Sequence, residues 1–323
     1  MRIAVIGAGA MGTLASILFC DAGQEVFVYE LRRERASDIA SNGVRARGDL
    51  SGTAFPSVAR TGEPADPYDV IVLATGANES GAALRPLSPF VHRDTVYLSL
   101  QEGGAISSLA ELVGEERSFA GLAWVSACEA ADGAVEVEAF RSLVLGAALP
   151  GRESALAGLV EAVDGARAGI VTLSGDLYGE IWKRLEGAAA VSGLCAISGL
   201  PSLEARRLEP LNHLCEEAAA ECRRAAESGG REDAEPLAPW DGAVWAGLRP
   251  PMLRDIEAGR KTEIDCLSGW IVQKARAKGV AVPTHSSILT LVREVEAGRH
   301  RPGEAALKEL QRRVSEEKGM SLL

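Results

Sequence analysis

The first fourteen residues constrain this chain more than any other stretch. Arg2-Ile3-Ala4-Val5-Ile6 is a short apolar run, the pattern of a strand covered on both faces. Gly7-Ala8-Gly9-Ala10-Met11-Gly12 follows at once, and Thr13 to Phe19 then carries Leu14, Ile17 and Leu18 at helical spacing. Strand, glycine turn and helix in this order, with G-x-G-x-x-G spacing, predict a dinucleotide-binding unit. Each glycine has its own expected task. Gly7 permits a tight turn, Gly9 lets a pyrophosphate approach the backbone, and Gly12 lets the helix lie close on the strand. The N–H groups opening the helix, at Ala10, Met11 and Gly12, would face the phosphates.

A second strand, Glu25-Val26-Phe27-Val28-Tyr29, ends in Glu30, 18 residues after Gly12. That is close to the ~20 residues at which an acid meets the ribose hydroxyls. An acid there repels a 2′-phosphate and favours NADH. Arg32 and Arg33 follow directly and could grip such a phosphate, which favours NADPH. The expectation is NAD(P)H with a slight lean to NADH.

Strands and helices alternate through the first half, the mark of a doubly wound parallel sheet. The segments expected after Glu30 are a helix over 32–42 and a short strand pair within 44–58. A buried strand over Asp69–Ala74, a helix over 79–87 and a strand over Thr95–Leu100 come next. Strand-like runs follow at 119–125, 135–137 and 142–146, then a helix over 154–163 and a strand over 169–173. Ala74 and Thr75, ending one strand, and Gln101, ending another, are placed where ligands sit in such sheets. From about Ser174 the pattern becomes helical, which predicts a dinucleotide-binding Rossmann domain over 1–173 and an all-α domain over 174–323. Helices are expected within 177–193, 211–228, 255–278 (broken near Gly259), 286–297 and 304–317. The Pro- and Trp-rich stretch 234–245 reads as loop. The crevice between the halves is the expected seat of a small-molecule substrate.

Composition narrows the partners. A formal net charge of −11 argues against nucleic acid or an anionic membrane surface. Six scattered cysteines without a C-x-x-C, and four histidines without ligand spacing, suggest reduced thiols and no metal. No leader and no apolar run of ~18 residues is seen, so a cytoplasmic protein is expected.

With these segments placed, the sequence resembles the ketopantoate reductase (2-dehydropantoate 2-reductase) family over nearly its whole length. The resemblance rests on Gly7 to Gly12, Ser99-Leu100-Gln101-x-Gly103, Asp176 through Ile181-Trp182 to Leu185, and Met252-Leu253-Arg254-Asp255. Above all it rests on Gly259-Arg260-x-Thr262-Glu263-Ile264-Asp265, with Gly269 and Gly279-Val280-x-Val282-Pro283 beyond. It implies a Rossmann domain with a helical domain, NADPH, and reduction of a 2-oxo acid. A homodimer through the helical half is also expected.

The catalytic positions depart from the family pattern. Its lysine is Arg184 here, and the asparagine four residues on is Ala188. Its Leu-Gln-Asn-Gly reads Leu100-Gln101-Glu102-Gly103, a lysine after the Asp69–Ala74 strand lines up with Gly76, and a serine with Pro251. Glu263 matches the family carboxylate. Arginine does not give up its proton, but it can polarise a carbonyl or hold a carboxylate. Glu102 puts negative charge where a neutral amide is usual, so a ketone or imine without a carboxylate suits the chain better than ketopantoate. Arg184, Glu263 and Glu102 are therefore the site candidates. Lys183, about 100° away from Arg184 on a helix, is the candidate stand-in proton donor. Genuine ketopantoate reduction and a redox-silent dinucleotide binder are the alternatives. Trp240 and Trp245 are candidate pocket walls, and the small residues of Gly187–Gly199 suggest close helix packing.

Overall fold

The computed structural model of the chain describes residues 1–59, 66–228 and 249–321. It divides into two units, Met1–Glu180 and Ile181–Leu323. The expected loop over 234–245, with Trp240 and Trp245, lies outside the described residues.

The first unit is built on one sheet. Its elements are β1 (Arg2–Ile6), α1 (Ala10–Asp21), β2 (Glu25–Tyr29), α2 (Arg33–Asn42), β3 (Val44–Gly48), β4 (Gly52–Ala54) and β5 (Ser57–Ala59). There follow β6 (Tyr68–Leu73), α3 (Ser80–Leu84), β7 (Val91–Ser99), α4 (Ala105–Val113), β8 (Ser118–Glu129), β9 (Val135–Ala147), α5 (Ser154–Ala166) and β10 (Val171–Ser174). The strands lie in the order β4-β3-β9-β8-β7-β6-β1-β2-β5, with β10 also beside β9. From β5 across to β8 all neighbours are parallel. β1 is flanked by β2 on one side and β6 on the other, so the chain reverses direction across the sheet there. The glycine turn leaves β1 at that switch point, where open α/β sheets bind ligands.

The central strands are apolar because both faces are covered: Ile3, Ala4, Val5, Ile71, Val72 and Leu73 are fully buried. The sheet is not parallel throughout. β8 and β9 form a long antiparallel ribbon, and β3 pairs antiparallel with β4. The two runs expected at 135–137 and 142–146 are one strand of 13 residues. Irregular pairing at Trp124/Val125 and Ser126/Ala127 of β8 interrupts the alternation that would have revealed it. The helix expected over 79–87 is shorter, with α3 flanked by 3₁₀ turns at Ala77–Glu79 and Arg85–Phe90. Pro86 and Pro89 account for this, since proline cannot donate to a helical ladder. Helix α4 was not anticipated.

Gly12 sets how close α1 lies to the turn. A Cβ there would stand 1.8 Å from the Gly7 carbonyl oxygen and 3.2 Å from Ala74 Cβ. Backbone would have to move, so Gly12→Ala is expected to cost about 3 kcal/mol. A urea melt reads this, and an unchanged midpoint would refute the contact.

The second unit is helical: α6 (Leu177–Ser198), α7 (Ser202–Arg207), α8 (Glu209–Glu227), α9 (Pro251–Glu257), α10 (Trp270–Ala277), α11 (Pro283–Glu296) and α12 (Glu304–Ser321). The long helix expected over 255–278 is broken near Gly259, which has φ +64°. It resumes through a π-helical turn, Asp265–Gly269, that leads into α10. From Arg184 to Ser198 every residue of α6 is buried. Its small residues permit that: a Cβ on Gly193 would meet Ile288 Cγ2 of α11 at 2.5 Å.

A polar network lies inside this apolar packing. Glu221 of α8 accepts the Thr284 and His285 backbone N–H groups at 2.8 and 3.0 Å, capping α11 from a neighbouring helix. The His285 ring, fully buried, lies 2.9 Å from the Ala218 carbonyl through Nε2 and 3.2 Å from Ser268 Oγ through Nδ1. A carbonyl only accepts, so Nε2 carries the proton and Nδ1 accepts from Ser268. Burial pushes His285 down from 6.5 to about 4. As pH falls the unfolded chain takes up this proton first. The contribution to stability is therefore intact above pH 6.5 and lost between 6.5 and about 4. Over that window the loss approaches about 3 kcal/mol. Burial pushes Glu221 up, which acts in the opposite sense, relieving a cost as pH falls. Urea midpoints at pH 7 and 5 are expected to fall further apart in the wild type than in His285→Asn; equal differences would contradict the assignment.

Candidate functional site

The turn after β1 is held from three sides. Gly7 has φ +91°, and its N–H donates to the Tyr29 carbonyl of β2 at 2.9 Å. A Cβ on Gly7 would lie 2.8 Å from Thr75 Cγ2, so only glycine fits beside the end of β6. Ala74 N–H donates to the Ile6 carbonyl at 3.0 Å, bringing Ala74 and Thr75 against the turn. Helix α1 starts at Ala10, earlier than the apolar spacing suggested, with Gly9 as its N-cap. A Cβ built on Gly9 meets nothing within 4 Å.

Ala8 is gripped through both of its backbone polar groups. Its N–H donates to Glu30 Oε2 at 3.2 Å. Its carbonyl accepts from Arg35 Nε at 3.4 Å and from Thr13 Oγ1 at 3.3 Å, while Arg35 Nη2 donates to Thr13 Oγ1 at 3.2 Å. Arg35 is buried and pairs with Asp38 at 2.9 Å.

Glu30 sits at the end of β2 as expected, its side chain only 6% exposed. Burial pushes its carboxyl up, but hydrogen bonds from Arg32 and Ala8 and the Arg32 charge outweigh this and hold it below its ordinary value. Arg32 donates to Glu30 from its backbone N–H at 2.9 Å, from Nε at 3.2 Å and from Nη2 at 3.0 Å. Its Nη1 faces Glu129 at 3.3 Å. Arg33 is exposed at the start of α2.

Gln101 lies two residues beyond β7 with its amide turned inward. Nε2 donates to the Thr75 carbonyl at 2.9 Å, and Oε1 lies 3.1 Å from the hydroxyls of Ser80 and Ser99. Its side chain therefore fixes the loop after β6. Glu102 is half-buried at the bend before α4.

Among the described residues no group of three or more His, Cys, Asp or Glu side chains could hold a metal ion. Nor is any helix long and apolar enough to cross a membrane. The fit to a dinucleotide is better. The direction of the Gly9 Cβ opens onto space at a helix N-terminus. The buried Thr75 Oγ1, beside Gly7, has no hydrogen-bond partner among the described residues. Gly7, Gly9, Ala10, Met11, Gly12, Glu30, Arg32, Ala74 and Thr75 thus surround one turn.

In the helical unit, Arg184 is 6% exposed on α6, on one face with the buried Ala188 and Ser192. Lys183 is half-buried. Glu186, also buried, pairs with Arg223 of α8. Glu263 is half-buried between Thr262 and the π-helical turn. Thr262 donates to Glu296 Oε1 from its N–H at 2.7 Å and from its hydroxyl at 2.5 Å, anchoring that segment.

Sequence reasoning overlooked Arg35, Thr13 and Glu129. Arg35 and Asp38 have helical i,i+3 spacing, which is a usable signal. Glu129 lies 97 residues from Arg32 and carries none.

The model of ketopantoate reductase PanE/ApbA matches residues 3–150, and that of the PanE/ApbA C-terminal part matches residues 176–296. A 2-dehydropantoate 2-reductase of Escherichia coli O157:H7 is 26% identical over 308 residues, covering 94% of this chain and 98% of its own. The "uncharacterized oxidoreductase YkpB" of Bacillus subtilis is 24% identical over 305 residues, covering 92% and 99%. Among solved structures, D-mandelate dehydrogenase with NADH and anilino(oxo)acetate shares the fold with a TM-score of 0.80 at 24% identity, covering 92% of this chain and 99% of that one.

Proposed function

The chain belongs to the ketopantoate reductase family and is an NAD(P)-dependent oxidoreductase, and from that premise we propose that it prefers NADH and reduces a C=O or C=N bond of a small molecule other than ketopantoate. The observation that carries the substrate reading is the buried face of α6, where Arg184 and Ala188 replace the family's lysine and asparagine. Glu102 in place of a neutral amide points the same way. The cofactor reading rests on Glu30, a carboxylate held at the end of β2 where a 2′-phosphate would add charge.

Within this reading each residue has a task. Gly9 and the opening N–H groups of α1 bind the pyrophosphate, and Glu30 accepts from the adenosine ribose. When bound, the dinucleotide supplies the hydride. Arg184 stabilises the negative charge that develops on the substrate heteroatom, and its fixed guanidinium donors suit that task. Glu263 orients the substrate. The proton comes from Lys183, from Glu102 or from water, because Arg184 keeps its own. A homodimer formed through the helical unit, in the cytoplasm, completes the reading; Leu203 in α7 and Leu208 just after it are exposed at 46% and 43%.

The test is oxidation of NADH and of NADPH by the pure protein with excess ketopantoate, beside a panel of ketones, imines and other 2-oxo acids. Tight dinucleotide binding with no ketopantoate turnover supports the proposal, and turnover of another substrate completes it. Brisk ketopantoate reduction would overturn the substrate reading in favour of a genuine 2-dehydropantoate 2-reductase. Absence of turnover with every substrate would leave a dinucleotide binder without redox activity.

A further inference from the structure

We infer that Glu129, at the end of β8, is a specificity-determining residue that turns the adenosine end of the site against a 2′-phosphate by keeping Arg32 committed to Glu30. The inference rests on the reading that a dinucleotide lies over the glycine turn with its adenosine ribose beside Glu30.

Arg32 would otherwise be the residue to welcome NADPH. It follows the β2 acid by two positions, and its side chain is 54% exposed. Its guanidinium is instead forked between two carboxylates: Nε and Nη2 face Glu30 at 3.2 and 3.0 Å, and Nη1 faces both Glu129 oxygens at 3.3 Å. A planar guanidinium with both edges engaged cannot turn to a third anion without giving up one of them. Glu129 is itself held, because Arg35 Nε lies 3.7 Å from its Oε1 and Arg35 is anchored on the Ala8 carbonyl and Asp38. Arg45 also reaches Asp38, at 3.4 Å. Three carboxylates (Glu30, Asp38, Glu129) thus face three guanidinium groups (Arg32, Arg35, Arg45), and the cluster is formally neutral.

A 2′-phosphate brings close to two negative charges. Against a neutral cluster with two carboxylates at its front it gains no net attraction. Removing the Glu129 charge, as in Glu129→Gln, changes both conditions: the cluster becomes positive by one, and Nη1 of Arg32 exchanges a charged acceptor for a weaker neutral one. An exposed ion pair contributes little to folding. Here its effect is on where Arg32 points, so the consequence falls on ligand choice.

The experiment measures dissociation constants of NADH and NADPH, by nicotinamide fluorescence, for the full chain and for Glu129→Gln, Glu129→Asp and Glu30→Gln. Wild type is expected to bind NADH more tightly by tenfold or more. Glu129→Gln is expected to shift the ratio of the two constants about tenfold toward NADPH, while Glu129→Asp, which keeps the charge, retains most of the preference. A ratio unmoved in Glu129→Gln but moved in Glu30→Gln would overturn the role of Glu129 and leave the dinucleotide reading standing. A wild type that prefers NADPH, or binds neither dinucleotide, would overturn both. Melting temperatures of the variants exclude a folding defect as the cause.

Discussion

Gly9→Asp is expected to weaken dinucleotide binding at least a hundredfold while leaving the protein folded. The two parts follow from one position. Gly9 has φ −70° and ψ −165°, a conformation any L residue adopts. A Cβ there meets no atom within 4 Å. It also occupies the N-cap of α1, where aspartate is among the most favourable residues, so the helix gains a cap it now lacks. The new carboxylate would stand at the positive end of the helix, where the pyrophosphate is expected, so the ligand meets both a steric block and a like charge. A hundredfold loss is about 2.7 kcal/mol, modest for an anion site with its centre filled by a charge. A fluorescence titration with NADH and a thermal melt on the same sample read both parts. Binding within threefold of wild type would mean that no dinucleotide uses this turn. Gly12→Ala is the contrasting case, since there the protein itself is disturbed.

The second large effect is at Arg184. Arg184→Gln is expected to lower kcat/KM for the chain's own substrate by about a thousandfold, or about 4 kcal/mol, the scale seen when a fixed donor to a developing anion is removed. Glutamine keeps much of the side-chain volume on this buried face of α6, which limits the loss of packing. The reverse experiment is more telling. Arg184→Lys with Ala188→Asn rebuilds the family's lysine and asparagine on the same helix face, four residues apart. It is expected to raise ketopantoate kcat/KM tenfold or more and to lower activity on the natural substrate. If the double variant leaves both activities unchanged, these positions do not select the substrate.

How much of this was legible in the sequence depended on the range of the interactions. The β1 strand, the turn and α1 lie within 20 consecutive residues, and each glycine could be given a task from local geometry alone. The break at Gly259 was legible for the same reason, because a glycine within a helical pattern is the usual place for a left-handed residue. The β8–β9 ribbon was read only in pieces, since irregular pairing within it breaks the period of two. The grip on the Ala8 carbonyl was invisible, as it joins residues 27 apart through an arginine that looks like ordinary surface charge on α2. Glu30 was found because its spacing from the glycines is a rule of the fold. Its engagement with Arg32 and Glu129 was not, since Glu129 lies 97 residues from Arg32 and no local spacing links them. The departures at Arg184, Ala188 and Glu102 were visible only against a family pattern.

The hold on both backbone polar groups of Ala8 has a kinetic consequence. A loop that orders itself around its ligand spends part of the contact energy on lost backbone freedom, roughly 1–2 kcal/mol for each residue fixed. Here the turn proposed to bind the phosphates is already set by Glu30 at the Ala8 N–H and by Arg35 and Thr13 at the Ala8 carbonyl, with Gly12 pressed on Gly7 behind it. Little freedom remains to be lost. Stopped-flow mixing with the dinucleotide should therefore give a single phase whose rate rises linearly with concentration, without the plateau that a slow loop rearrangement imposes.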